Sequence, residues 1–211
     1  MPNSRILFFL KYPEAGRVKT RLARSVGNTS AETAFRWMVK TCWDRATSPL
    51  WDKQVIGTPD SKLEAFSEWL RGTITPHAQP SGSLGDRLLD GTQHAFDAKA
   101  SKVLCVGGDC PTLNTDHYKR AFEALENHDL VLFPALDGGY VLIGFKQPQP
   151  QLFSEIAWST HLVFNQTLEI AEAAGLSVWV GETLPDIDTI EDWEESVAPH
   201  FPDAPSLNAH A

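Results

Sequence analysis

Five cations fall between positions 11 and 24: Lys11, Arg17, Lys19, Arg21 and Arg24, opposed only by Glu14. That stretch carries a net +4 in a chain whose formal net charge is −9, so the remainder sums to −13. A cationic spot on an acidic protein suits a small polyanion better than a nucleic-acid polymer, whose partners spread positive charge over a whole face. Gly16 permits a tight turn, Lys11, Lys19 and Arg21 can reach over a phosphate chain, and Thr20 with the loop amides can complete an anion nest. The pattern is not a Walker A loop, since the Gly-Lys-Ser/Thr ending is missing, and no dinucleotide G-x-G-x-x-G occurs. A basic loop by itself is as readily a solvated face.

Carboxylates supply the second chemistry. Gly107-Gly108-Asp109-Cys110-Pro111 follows an apolar run, and an Asp there can hold Mg²⁺ or Mn²⁺ beside phosphate oxygens, since Mg²⁺ takes one or two carboxylates and keeps its other positions for substrate and water. The plainer reading of Asp109 is a cap for a helix near Asn114. Asp186-Ile187-Asp188-Thr189 presents two carboxylates on one side of an extended segment; Asp188 is the candidate second ligand, and Asp188 or Thr189 is equally a helix N-cap. Asp137-Gly138-Gly139-Tyr140 has the composition of a hairpin turn. Trp158-Ser159-Thr160 offers a ring that can stack on a base or sugar, or simply pack. The histidines form no metal spacing, and no Gly-x-Ser-x-Gly elbow provides a nucleophile.

The elements that must position these residues alternate. Ile6–Leu10 is an unbroken apolar run, as in a strand covered on both faces, and Val103–Val106 is another. Thr29 with Glu32 reads as a capping box before a helix whose apolar positions run from Ala31 to Ala46. Further strands are expected at Gln54–Gly57, Thr73–Pro76 and Ser177–Val180, and helices at Ser61–Leu70, Leu84–Ala98, after Asn114 and at Leu162–Ala174, the last closed by Gly175. Leu130–Phe133 and Tyr140–Ile143 bracket the Asp137 turn and are expected to pair antiparallel, and an acidic helix follows Thr189. This predicts a three-layer α/β/α, Rossmann-like fold with a mostly parallel sheet, whose ligands bind beyond the carboxyl ends of the strands.

Composition agrees. With 211 residues, 42% of them hydrophobic, and with seven Trp and eleven Phe, one domain over residues 1–198 is expected, followed by a flexible tail at 199–211. Three widely spaced cysteines suggest free thiols rather than disulfides, and no run approaches membrane-spanning length, so a cytoplasmic protein without membrane or nucleic-acid partners is expected.

Taken in order, several segments resemble one family, the bacterial radical-SAM/selenodomain-associated transferases, which look like glycosyltransferase-A-fold proteins and are similar to phospholactate and molybdenum-cofactor guanylyltransferases. The match runs from about Arg5 to Trp193. It rests on Lys11-x-Pro-x-x-Gly-x-Val-Lys-Thr-Arg-Leu22, Leu84-Gly85-Asp86-Arg87-Leu88, Gly108-Asp109-Cys110-Pro111-x-Leu113, Asp137-Gly-Gly-Tyr-x-Leu-Ile-Gly144, Trp158 and Asp186-Ile-Asp-Thr189. The resemblance implies a nucleotide-diphosphosugar transferase fold, with Lys19 and Arg21 near the phosphates and Asp109 and Asp188 on a divalent metal. It also implies Gly85, Arg87 and Gly108 on the nucleotide side, and Asp137, Gly138, Gly139, Tyr140 and Trp158 on the substrate side. Ser83 stands where the family commonly has an acidic residue, and Glu14-Ala15 replaces a frequent Pro.

Two enzyme readings follow: nucleotidyl transfer from a nucleoside triphosphate to a small phosphorylated or hydroxyl acceptor, or glycosyl transfer from a nucleotide sugar. A third is a nucleotide-binding module without catalysis.

Overall fold

The computed structural model describes residues 3–71 and 75–208. Seven strands form one sheet: β1 (Ser4–Lys11), β2 (Asp52–Thr58), β3 (His77–Ala78), β4 (Lys102–Val106), β5 (Leu130–Pro134), β6 (Tyr140–Phe145) and β7 (Val178–Val180). Their order across it is β3-β2-β1-β4-β6-β5-β7. β6 runs antiparallel to both β4 and β5, and every other pairing is parallel. Of the strand expected at Thr73–Pro76, residues 73 and 74 lie outside those described, while 75 and 76 are not in a strand and β3 begins only at His77.

The apolar runs do what doubly buried strands require. In β1, Ile6, Phe8 and Leu10 enter one core cluster and Leu7 the other; in β4, Leu104 and Val106 enter the first, Val103 and Cys105 the second. Each such side chain, removed from water, contributes about 1.5–3 kcal/mol. The first face is covered by α1 (Thr20–Val26), α2 (Asn28–Arg45), α3 (Leu63–Leu70), α5 (Thr115–Ala124) and α7 (Ile190–Ser196). The second is covered by α4 (Leu84–Asp97) and α6 (Val163–Ala173), so the α/β/α layering holds.

Three local expectations change. α1 is hidden in what reads as a loop, because it has only seven residues, of which Leu22 and Val26 are buried. Gly27 ends α1, its N–H donating to the Ala23 carbonyl, and at φ 80° it also precedes the first residue of α2. The helix therefore starts before Thr29, no Thr29–Glu32 box forms, and Glu32 pairs with Arg36 at 2.8 Å. Lastly, the stretch after Pro199 is packed: Phe201 is 7% exposed against Trp37, and Trp37 Nε1 donates to Asp203 at 3.3 Å. Residues 209–211 lie outside those described.

Candidate active site

The site gathers at the carboxyl ends of β1 and β4. Chain leaving β1 turns at Gly16 (φ 76°) and reaches Lys19, whose backbone is left-handed at φ 44°, ψ 52°. A non-glycine residue there costs on the order of 1–2 kcal/mol, and such strain is held where the side chain has a task. Lys19 precedes α1 without capping it by its side chain; the ammonium instead donates to Asp109 Oδ2 at 3.1 Å and Asp188 Oδ1 at 2.7 Å. Its side chain is 6% exposed. Burial pulls the ammonium down, yet the charges of Asp109 and Asp188 outweigh it and leave the group above its usual range.

Asp188 is engaged by both oxygens, because Arg21 Nη1 reaches Oδ2 at 3.2 Å. Burial pushes its carboxyl up, but Lys19 and then Arg21 hold it below the ordinary carboxylate range. It does not cap the helix. Thr189 does, accepting from Asp192 N–H at 3.2 Å, while the Asp192 carboxylate takes the N–H groups of Asp188 and Thr189. Asp109 is no cap either, since Asn114 performs that role for α5 through a box with His117.

What brings residue 188 to residue 109 is a backbone tether: Ile187 N–H donates to the Asp109 carbonyl at 2.9 Å, and the Ile187 side chain is fully buried. The two flanking aspartates are thereby held beside the β4 exit. Asp188 turns to the cations, whereas Asp186 lines a cleft of about 330 Å³ together with Asp109 and Asp137. Among the described residues the Asp186 carboxyl has no hydrogen bond or ion pair. Burial first, then the charges of Asp109 and Asp137, push it up to about 6 against the pull of Lys19. Asp186 is the site residue that sequence reasoning passed over. Its signal was the two-residue spacing from Asp188, which does not say which carboxylate faces which side.

These carboxylates fit a divalent metal in one respect. Asp186 sits unpaired among like charges, an arrangement a cation relieves, and Asp109 Oδ1 has no ion-pair partner. No group of three His, Cys, Asp or Glu side chains among the described residues could by itself hold a metal ion. Asp109 and Asp186 are the carboxylates of the cluster that line the first cleft, whereas Asp188 pairs with both Lys19 and Arg21.

Lys11, Arg17, Lys19, Thr20 and Arg21 line a second, shallow cleft of about 350 Å³, with Lys11 Nζ donating to the Arg17 carbonyl at 2.8 Å. Lys19 belongs to that cleft and its partner Asp109 to the first, so the ion cluster forms the boundary between them.

Other expected residues have different tasks. A Cβ on Gly108 would stand 2.5 Å from Val39 Cγ2, so its lack of a side chain serves the core; of this adjacent pair it is Gly107 that lines the cleft. On Gly85 a Cβ would meet the Phe153 carbonyl at 2.6 Å and Trp158 Nε1 at 2.8 Å, which makes it a packing position that seats the Trp158 ring. Gly138 (φ 91°) packs on the His161 backbone, and its carbonyl accepts from Phe164 N–H at 2.9 Å. Asp137 Oδ1 accepts from Gly139 N–H at 2.8 Å, and Asp137, Gly139, Tyr140 and Trp158 all line the first cleft. Arg87 lies in a third cleft beyond β2 and β3, donating to Gln79 Oε1 at 3.4 Å. Ser83 caps α4 in a box with Asp86, which accounts for a serine at that place. Cys42, Cys105 and Cys110 are free and buried, and burial pushes each thiol up, so none is a ready nucleophile.

The family model described as "Uncharacterized protein conserved in bacteria (DUF2064)" matches residues 41–160. The chain belongs to this family. As a DUF2064 protein it is similar over its length to a crystal structure from Desulfovibrio desulfuricans G20, provisionally described as a nucleotide-diphospho-sugar transferase. Identity is 34% and the TM-score 0.88, covering 94% of this chain and 90% of that one. A CMP:2-keto-3-deoxy-manno-octonic acid synthetase crystallised with CTP is 13% identical, TM-score 0.56, over 91% and 95% of the two chains. Rv0371C from Mycobacterium tuberculosis H37Rv, crystallised with manganese, is also 13% identical, TM-score 0.52, over 92% and 96%. Those two share the fold. No curated protein sequence matches the chain. The DUF2064 chain thus has the α/β fold of nucleotidyltransferases and nucleotide-sugar transferases, and no helix among its described residues is long and apolar enough to cross a membrane.

Proposed function

We propose that this protein is a metal-dependent nucleotidyltransferase, moving a nucleotidyl group from a nucleoside triphosphate to a small acceptor. The observation that carries the reading is Lys19, held by Asp109 and Asp188 at the boundary of a cationic cleft and an acid-rimmed one. Triphosphate oxygens would lie in the cationic cleft, where Arg21, 68% exposed, and Lys11 neutralise charge as it develops on pyrophosphate. The acceptor oxygen would attack the α-phosphorus from the other cleft, the proton of a hydroxyl acceptor passing to water and the bond to the β-phosphate oxygen breaking as pyrophosphate leaves. Asp109 and Asp186 would hold Mg²⁺ or Mn²⁺, which when bound supplies charge neutralisation and alignment of the phosphates. Lys19 fixes the Asp109 carboxylate for this work and screens it from Asp188. Arg87, with Gln79, would meet the nucleoside end in the third cleft.

Glycosyl transfer is the second reading, favoured by the 34% identity to the Desulfovibrio protein and its provisional description. A thermal-shift panel of four nucleoside triphosphates and several nucleotide sugars, each with and without Mg²⁺ or Mn²⁺, decides between them, because a ligand specific to the native state raises Tm. A triphosphate is expected to stabilise the protein only with metal, and Asp109→Asn to abolish that increment. Shifts from nucleotide sugars alone would select the second reading. Shifts indifferent to metal and to Asp109→Asn would overturn both.

A further inference from the structure

We infer that the acceptor is an uncharged alcohol built on an apolar or aromatic body, and not a phosphate monoester or a carboxylic acid. The word acceptor rests on the transfer reading above; the chemistry of the cleft does not.

Its lining is sorted by charge. Asp109, Asp137 and Asp186 are the only ionisable acids or bases of the Asp, Glu, Lys, Arg and His types that line it among the described residues. Lys11, Arg17, Lys19 and Arg21 line the neighbouring cleft and Arg87 a third, and Lys19 already answers two carboxylates. A phosphate or carboxylate entering here would lose its water and meet like charge, with no guanidinium or ammonium to receive it. A divalent ion on Asp109 and Asp186 would bring two positive charges against three carboxylates, and its open positions would be taken by the nucleotide's phosphates, leaving none for an anionic acceptor.

Most of the remaining lining is apolar, with Phe9, Leu88, Val106, Val141 and Ile143 beside the Trp158 ring held by its contact on Gly85, and Tyr140 among them. Ser159 and Thr160 add neutral hydroxyl-bearing positions. Leu84, Leu136 and Leu162 are 44%, 73% and 41% exposed, three of the five large apolar side chains left exposed among the described residues. Leu84 lines the cleft, and the other two stand on the segments that do. Apolar surface kept in water beside an apolar cleft is what an apolar ligand covers.

A displacement experiment reads this cleft alone. In saturation-transfer NMR on the full chain with Mg²⁺, 2-phenylethanol serves as the reporter. Cyclohexaneethanol should displace it, whereas 2-phenylethyl phosphate at tenfold excess should not; an ester held by the cationic cleft leaves the reporter in place. Leu84→Gln, at a half-exposed position that folding tolerates, and Trp158→Ala should each weaken the reporter at least fivefold, with folding checked by thermal melt. Asp137→Asn should let the phosphate ester compete. Displacement by the ester in the wild-type protein, or a reporter that does not bind or ignores Leu84→Gln, would overturn the inference. The nucleotide thermal shift is measured separately, so its loss would sink the transfer reading while leaving the cleft's preference standing.

Discussion

Lys19 and Arg21 lie two positions apart and share Asp188, yet their surroundings differ: 6% of the Lys19 side chain is exposed and 68% of Arg21. Salt screens accessible pairs far more than enclosed ones. Arg21→Ala should therefore weaken triphosphate binding strongly at low ionic strength and hardly at all near 1 M salt, while the loss from Lys19→Met should persist, as calorimetry at the two salt concentrations would register. Lys19→Met should also destabilise the fold by about 1–3 kcal/mol. That is below the range for breaking a fully buried pair, because both aspartates are more than a third exposed. The sign with pH follows from the shifts. Lys19 is raised above 10.5, so its contribution is complete below that value and lost only above it; Asp188 is lowered from 3.8, so its contribution is lost only as pH falls below that value. Denaturation at about pH 8 and about pH 9, above the range in which Asp186 titrates and below that of Lys19, should give the same penalty for Lys19→Met.

At the level of elements, the β4 exit separates two adjacent glycines. Gly108→Ala would drive a methyl group into Val39 and Leu10 and should cost about 1–3 kcal/mol by overpacking. Gly107→Ala would meet only Asp109 Oδ1, at 2.8 Å, so it should melt near the wild-type temperature but lose metal-dependent nucleotide binding. Equal melting temperatures for the two variants would contradict this division. At the opposite end of the sheet, the Asp129 carboxylate ties β5 to β7. It accepts from Ser177 N–H at 3.0 Å and Ser177 Oγ at 2.6 Å and pairs with Lys146 at 3.2 Å. The Ser177 bonds chiefly, with Lys146, lower its pKa from 3.8 to about 2, so the stability it supplies is present above 3.8 and disappears as pH falls towards 2. Asp129→Asn should be less stable than wild type at neutral pH, and urea titrations should show the gap closing as pH is lowered through that window.

Across the whole molecule, the C-terminal stretch completes the face that holds α1 and α7, the elements carrying Lys19, Arg21 and Asp188 to the site. Phe201 packs its edge on Trp37, Trp37 packs on Trp193, and the Arg45 guanidinium lies 4.7 Å from the Phe201 ring centre. Phe201→Ala should cost roughly 3 kcal/mol as a buried aromatic truncation, and a chain ending at residue 198 should lose at least as much, both visible as a lowered Tm. A truncated chain melting with the full one would show that this cluster adds nothing.

Apart from α1 and the place of β3, the order of strands and helices was legible in the residues themselves, as were the cationic loop and the position of Asp109, because hydrophobic period and formal charge are properties of short stretches. So was the antiparallel pairing of Leu130–Phe133 with Tyr140–Ile143, which a short turn enforces. Tertiary structure alone decided that Lys19 would join residues 90 and 169 positions away, that Asp186 and not Asp188 would face the cleft, that Gly108 would serve the core, and that the chain after Pro199 would pack. The reason is that adjacent glycines and alternate aspartates carry identical local information. Which of each pair meets a ligand depends on what the fold packs behind it, here Val39 behind Gly108 and the Ile187 tether between the two aspartates.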